Sequence, residues 1–349
     1  MRFFYLLTYA TAALLPLCAS ARSFENGSLT FNVLSSTEKT VEVKATATTI
    51  SGDVTIPTTV TDSDTTYNVT RIARYGFRNC KSLTSVVIPE GIQEIGLSAF
   101  SGCSALTGTL KLPASVSNIG NQAFERCALT QLDLPETMKT WGRSCFQNNT
   151  KLTWVKIPDA MQILPFGSFN GCSAIDSVVW GSGLKGMEQA GFNGCAFTKV
   201  VIPEGIQYIG MSVFYRNAKL EEIDIPSTVD SIGQSAFYSC KVIKKVTCRA
   251  EVPPVMGTSK SHMVIDATAF TQGVLYVPQG SIEAYKNAED WKNFTTILPI
   301  KEGVSTIDIE DNGVKEYYDL QGRRVNEQYL TPGIYIVREG NKATKQVVR

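Results

Sequence analysis

A phenylalanine returns through the middle of this chain at an almost constant step. Phe77, Phe100, Phe124, Phe146, Phe169, Phe192, Phe214 and Phe237 stand 22 to 24 residues apart. A period of that length is one coil of a solenoid, in which each unit contacts only its neighbours. A chain built this way presents an extended surface and does not need a central pocket.

One copy of the unit, residues 83–103, reads L-x-x-V-x-I-P-x-x-I-x-x-I-G-x-x-A-F-x-x-C. The proline recurs at Pro89, Pro113, Pro135, Pro158, Pro203 and Pro226, and the glycine at Gly96, Gly120, Gly142, Gly210 and Gly233. The cysteine recurs at Cys80, Cys103, Cys127, Cys172, Cys195 and Cys240, with Asn149 and Asn217 in the two remaining coils. The alternation before the proline predicts one short strand per coil, stacked into a parallel sheet. Proline ends that strand without forfeiting a needed ladder donor, and glycine opens the next bend. Phenylalanine fills the coil, at roughly 1.5–3 kcal/mol each when buried. A small thiol packs at the last turn, or an amide ties off its carbonyls. The period is least regular at 175–195, where Trp180-Gly181 replaces Ile-Pro and Glu188 takes the glycine step.

This unit resembles the BspA-like bacterial leucine-rich repeat surface proteins, over roughly residues 54–302. The resemblance implies a leucine-rich repeat solenoid with a parallel β-sheet on its concave face, mostly β and coil. It also implies an adhesive role towards host matrix or plasma glycoproteins, or towards other bacteria.

The flanks complete the expected organisation. Arg2, the apolar stretch Phe3–Leu17 and Ala19-Ser20-Ala21 read as a secretory signal over 1–21, cleaved near Ala21. Cys18 would suit lipidation, but Leu17 stands where a small residue is wanted. Residues 22–55 read as an N-terminal β cap and 56–248 as the repeats, with a Thr/Asp-rich insertion at 58–66 looping out. Residues 249–302 read as a closing cap in which Phe270 resumes the Ala-Phe step. A short helix over 281–291 there is capped by Ser281 and buries Tyr285 and Trp291. Residues 303–349 form a C-terminal β tail. Its Y-D-x-x-G-R-x-V and P-G-x-Y-x-V signatures resemble the type IX secretion sorting domain of Bacteroidetes. These segments predict a secreted or outer-surface protein rather than a periplasmic one, with no membrane-spanning segment.

Little in the sequence suggests chemistry. Net charge is +1 without a basic block, which argues against nucleic acid as a partner. The single histidine, His262, lies in a polar loop with no nucleophile motif around it. Gly181-x-Gly183 lacks the strand and helix that a phosphate loop needs. No C-x-x-C pair supports a zinc site, so the ladder cysteines read as buried thiols, with ladder disulfides or a metal as alternatives. No cofactor is expected. Function then rests on the outward strand positions, a two-column grid running from Ser85 and Val87 to Lys245 and Thr247. Within it Gln131, Asp133, Trp154, Lys156, Lys199, Glu222 and Asp224 are the candidate binding residues. Trp154 is the expected anchor for a protein or glycoprotein ligand. Stacking on a sugar ring is the glycan alternative, and a structural spacer with no ligand is the other.

Overall fold

The computed structural model describes residues 22–257, 263–300, 315–318, 324–325, 333–339 and 342–348. The secretory signal and His262 lie outside the described residues. The chain divides after Ile300 into two compact units.

The first unit is the expected solenoid. Its longer strands, one per coil, lie in parallel register. Ser51–Thr55 pairs with Ser82–Val87, Thr107–Lys111 with Ala128–Asp133, and Trp154–Lys156 with Ser177–Val179. Lys199–Val201, Glu222–Ile225, Lys245–Cys248, Val274–Val277 and Ile297–Pro299 continue the ladder. The pairing is interrupted between 82–87 and 107–111, between 128–133 and 154–156, and between 177–179 and 199–201, the last where the sequence loses its Ile-Pro step. There the indole Nε1 of Trp180 donates to the Val201 carbonyl at 2.9 Å. In neighbouring coils a main-chain N–H makes the equivalent bond, as Ile157 does to Val179 and Ile202 to Asp224.

A second parallel ladder was not read from the sequence. Its rungs are two residues long: Glu94–Ile95 and Asn118–Ile119, then Ile163–Leu164, Gly186–Met187, Tyr208–Ile209, Ser231–Ile232 and Val255–Met256. The glycine after most of these rungs is required by close approach. A Cβ on Gly120 would lie 2.5 Å from the Leu97 nitrogen, and one on Gly233 2.5 Å from the Met211 nitrogen.

The phenylalanines form one unbroken stack. All eight are fully buried. Successive rings lie 5.0 to 5.9 Å apart and within 6° to 17° of parallel. Each Phe N–H from Phe77 to Phe237 also donates to a carbonyl of the following coil, at 2.7 to 3.1 Å. The residues two before and two after each Phe are left-handed, for example Tyr75 and Asn79, or Gln122 and Arg126. For a residue with a Cβ that conformation costs roughly 1–2 kcal/mol, and the inter-coil hydrogen bonds offset it.

The ladder cysteines close the same turn. Sγ of Cys103, Cys127, Cys172, Cys195 and Cys240 donates to the carbonyl of the preceding coil's Phe, at 2.9 to 3.6 Å. Asn149 and Asn217 do more. Each Nδ2 bridges the Phe carbonyls of its own and the preceding coil, at 2.8 to 2.9 Å. Oδ1 of Asn149 accepts from the Leu129 amide, whereas Oδ1 of Asn217 is buried without a partner. All eight described cysteines are buried free thiols.

The ends depart from expectation in three places. Residues 58–66 do not loop out. Thr59–Asp62 and Thr65–Ile72 form a hairpin turning at Ser63, and its second strand pairs with the cap strand Thr40–Ala45. The Ala-Phe step at Phe270 is not a repeat turn but the helix α1, Ala267–Gln272, because Asp266 caps it by accepting from the Thr268 N–H. Ser281 stands at the N-cap of α2, Ile282–Asn287, but its side chain makes no capping bond. A 3-10 turn over Gln279–Ser281 leads into that helix instead. Tyr285 and Trp291 are buried as expected and plug the end of the core. The Tyr285 hydroxyl donates to the Ala250 carbonyl at 2.8 Å, and Trp291 Nε1 to the Pro254 carbonyl at 2.9 Å.

In the second unit, Lys315–Tyr318, Arg324–Val325, Gly333–Glu339 and Lys342–Val348 form an antiparallel sheet. Tyr317, Tyr335 and Val337 are buried.

Candidate binding face

Strand parity decides which side chains reach solvent. Along each long strand the central residue turns to the Phe stack and its two neighbours turn out. By repeat position, the outer columns run Gln131, Trp154, Ser177, Lys199, Glu222, Lys245 and Asp133, Lys156, Val179, Val201, Asp224, Thr247, with pairing register fixed within 154–179 and within 199–247.

Gln131, Asp133, Trp154, Lys156 and Lys199 are exposed, whereas Glu222 and Asp224 are half-buried. Thr247 departs from the outward reading and is buried. Its rung neighbours are Tyr276 and Asp224, and Asp224 is clamped by Arg249 through two hydrogen bonds of 2.8 and 2.7 Å. A short side chain between such neighbours is covered.

Most charges on this face are already engaged. Lys199 pairs with Glu222 at 3.2 Å, and Asp133 lies 4.0 Å from Lys111. Lys156 pairs with Glu136, which holds its ammonium above the usual lysine value. Gln131 accepts from the Thr109 hydroxyl at 3.0 Å. Asp53, at the first rung, accepts from Ser85 and Thr84, and those bonds lower its carboxyl below the usual range. Exposed pairs of this kind contribute little stability, with a median near 0–1 kcal/mol. They do neutralise the surface locally, so Lys156, a candidate binding residue flanking Trp154, is already paired with Glu136.

What remains unpaired is apolar. Trp154 is 39% exposed, and Val179 and Val201 on the next two coils are 52% and 51% exposed. Trp180 lies half-buried beside them. The two valines were visible as outward positions but not as a site. The signal was their shared outward repeat position one and two coils after Trp154: Val179 pairs with Lys156, next to the Trp154–Ser177 pair. Among the described residues, no group of three or more His, Cys, Asp and Glu could hold a metal ion. No described helix is long and apolar enough to cross a membrane.

The model of the BspA-type leucine-rich repeat region matches in six copies, over residues 70–163 and 139–256. The chain belongs to that family. Among solved structures, this BspA-type chain is similar to a leucine-rich cell surface protein of Faecalibacterium prausnitzii. Identity is 20% and the TM-score 0.50, over 81% of this chain and 96% of that one. It is also similar to a leucine-rich repeat protein of Bacteroides ovatus, at 20% identity and a TM-score of 0.40, over 80% and 100% of the two chains. The pneumococcal vaccine antigen PcpA matches at 16% identity and a TM-score of 0.44, over 81% and 99%. At such identities the likeness concerns the fold. No curated protein sequence matches the chain.

Proposed function

We propose that this BspA-type protein is an exported, non-catalytic adhesin that engages a protein or glycoprotein ligand through its long-strand face. The observation that carries the reading is the strip of Trp154, Val179 and Val201, held on a hydrogen-bonded scaffold and ringed by ion-paired charges. An exposed aromatic in an apolar patch with a polar rim is the usual anatomy of a binding hot spot. Little side-chain or backbone ordering is needed on binding, because the strands are already fixed. Family membership supports display at a bacterial surface. The signal at 1–21 and the sorting-like tail at 303–349 supply a route for export.

The test is binding of the full-length chain to immobilised extracellular-matrix proteins, plasma glycoproteins and glycans, with Trp154→Ala alongside. A saturable protein ligand is expected, weakened by about 2 kcal/mol or more in the variant, as for a hot-spot aromatic. A signal confined to glycans would move the reading to polysaccharide capture. A blank panel would favour a structural spacer.

A further inference from the structure

The second ladder is broken at one coil, and the break opens a notch of about 590 Å³ lined by Thr140, Trp141, Arg143, Ile163, Pro165 and Glu188 among others. A missing donor marks the break. At the glycine step of each coil the main-chain N–H donates to the rung carbonyl of the coil before. Gly96 donates to Ile72, Gly120 to Ile95, Gly142 to Ile119, Gly210 to Met187 and Gly233 to Ile209, at 2.7 to 2.9 Å. Even Glu188, which lacks the glycine, keeps this bond to Leu164 at 2.9 Å. Pro165 stands at that step in its own coil and has no N–H to give. The Trp141 carbonyl below it is left with only its neighbour's Thr140 hydroxyl, at 3.3 Å. Residues 139–141 make no main-chain bond to either adjacent coil.

The side chains around the gap are consistent with a ligand site. Trp141 points inward against Phe146 and Phe169 and is held by the Ser168 hydroxyl at 2.9 Å, so the floor is rigid. Ile163 is 43% exposed at the wall. The Arg143 guanidinium lies over the Phe166 ring, 4.3 Å from its centroid. Among the described residues no carboxylate is ion-paired to it. Glu188 closes the far wall, its carboxylate accepting the Phe166 N–H at 2.8 Å.

We propose that this notch binds an extended acidic peptide segment. One backbone N–H of the segment replaces the missing donor at the Trp141 carbonyl. A single aspartate or glutamate of the segment pairs with Arg143, and an adjacent apolar side chain covers Ile163. An extended peptide presents an amide donor, a carboxylate and an apolar side chain together, matching the Trp141 carbonyl, Arg143 and the exposed Ile163, whereas an anionic sugar offers no side chain for Ile163. Glu188 limits the segment to isolated carboxylates and repels a polyanion. The site is separate from the long-strand face, so it stands whether or not that face binds the adhesin ligand.

The probe is the blocked peptide Ac-Ala-Asp-Val-Ala-NH2, titrated to millimolar concentration into the full-length chain. The readout is the side-chain N–H resonances of Trp141 and Arg143, with the Asn analogue of the peptide and free galacturonate as controls. The expected result is a saturable shift at both resonances, with affinity reduced about tenfold or more by Arg143→Gln, as for a lost charge-assisted hydrogen bond. Pro165→Gly restores the donor that the other coils carry. It should close the rung and abolish binding while melting at or above wild type. The absence of a saturable shift overturns the proposal. So does Pro165→Gly binding as wild type does, equal affinity for the Asn analogue, or galacturonate binding that survives Pro165→Gly. Should Pro165→Gly misfold, the surface variant Arg143→Gln and the Asn analogue decide the matter.

Discussion

Removing one ring from the middle of the stack should cost more than removing one from its end. Phe146 is fully buried between Phe124 at 5.8 Å and Phe169 at 5.7 Å, with Trp141 edge-on at 5.4 Å. Phe77 is equally buried but meets one of these rings, Phe100, at 5.0 Å. Truncating a buried Phe to Ala costs about 3–5 kcal/mol in lost transfer energy and residual cavity. Each aromatic pair adds about 0.5–1.5 kcal/mol. Phe146→Ala loses two more pairs than Phe77→Ala, so it should be the more destabilising by about 1–3 kcal/mol. Equilibrium urea unfolding measures both. The ladder thiols add positional information, because alkylation read by mass spectrometry reports where the solenoid opens. Coils couple mainly to their neighbours. Cys127, Cys145 and Cys172 should therefore become reactive at lower urea than Cys240 and Cys248 in Phe146→Ala. Equal destabilisation by the two variants, or uniform exposure of all the thiols, would refute the stacked-ring account.

Two further outcomes follow from the buried turn. Burial pushes the thiols of Cys127, Cys172 and Cys240 up to about 12 and that of Cys248 to about 11. An unfolded thiol titrates near about 8.5. Above that pH the unfolded chain sheds protons that the folded chain retains. The stabilisation is thus whole below about pH 8.5 and is lost by about 1.4 kcal/mol per thiol per pH unit as pH rises towards the folded values. The melting temperature should fall steeply between about pH 9 and 10.5, and a flat profile would contradict the burial. Asn217→Ala removes two bonds to the carbonyls of Phe192 and Phe214 and should cost about 2–4 kcal/mol. Asn217→Cys, which restores one of them and discards the orphaned Oδ1, should cost clearly less in the same unfolding assay.

The radial order of the molecule was legible because it depends on side-chain type alone. Phe100, Cys103, Ile95 and Val155 are apolar at fixed offsets, and each is buried. The outward columns followed from strand parity, with Thr247 lost because coverage depends on the neighbouring rung. The second ladder was not legible, since a two-residue rung has no alternation to read. Nor were the left-handed steps, which fall on Tyr75, Gln122, Arg126 and Arg216 as readily as on glycine. Inter-coil hydrogen bonds decide those conformations, and such bonds are a property of stacking rather than of local preference. Helix α1 was missed for a related reason. The Ala-Phe pair of a repeat turn recurs at Ala269 and Phe270, and only the Asp266 cap distinguishes the two outcomes. On the candidate face, residue identity revealed Trp154 but not that Glu136 had already taken Lys156.

The solenoid repeats its core faithfully and varies its outward positions from coil to coil. Coils that also break the repeat pattern add local departures of backbone and packing to that variation. Here the breaks are grouped. Trp141, Trp154, Pro165, Trp180 and Glu188 each replace a repeat residue or stand out from their column, and all fall within three consecutive coils. Their effects appear on both ladders. Pro165 withholds a donor beside the notch at Trp141, while Trp180 takes over a main-chain bond to Val201. The Phe stack runs beneath them without interruption, at 5.7 and 5.3 Å on either side of Phe169. The stack therefore absorbs the irregularity, with Trp141 and Trp180 packed edge-on against its rings. That combination, a continuous Phe stack carrying localised departures in the coils around it, supports the proposal that the ligand sites of this protein lie between residues 140 and 201.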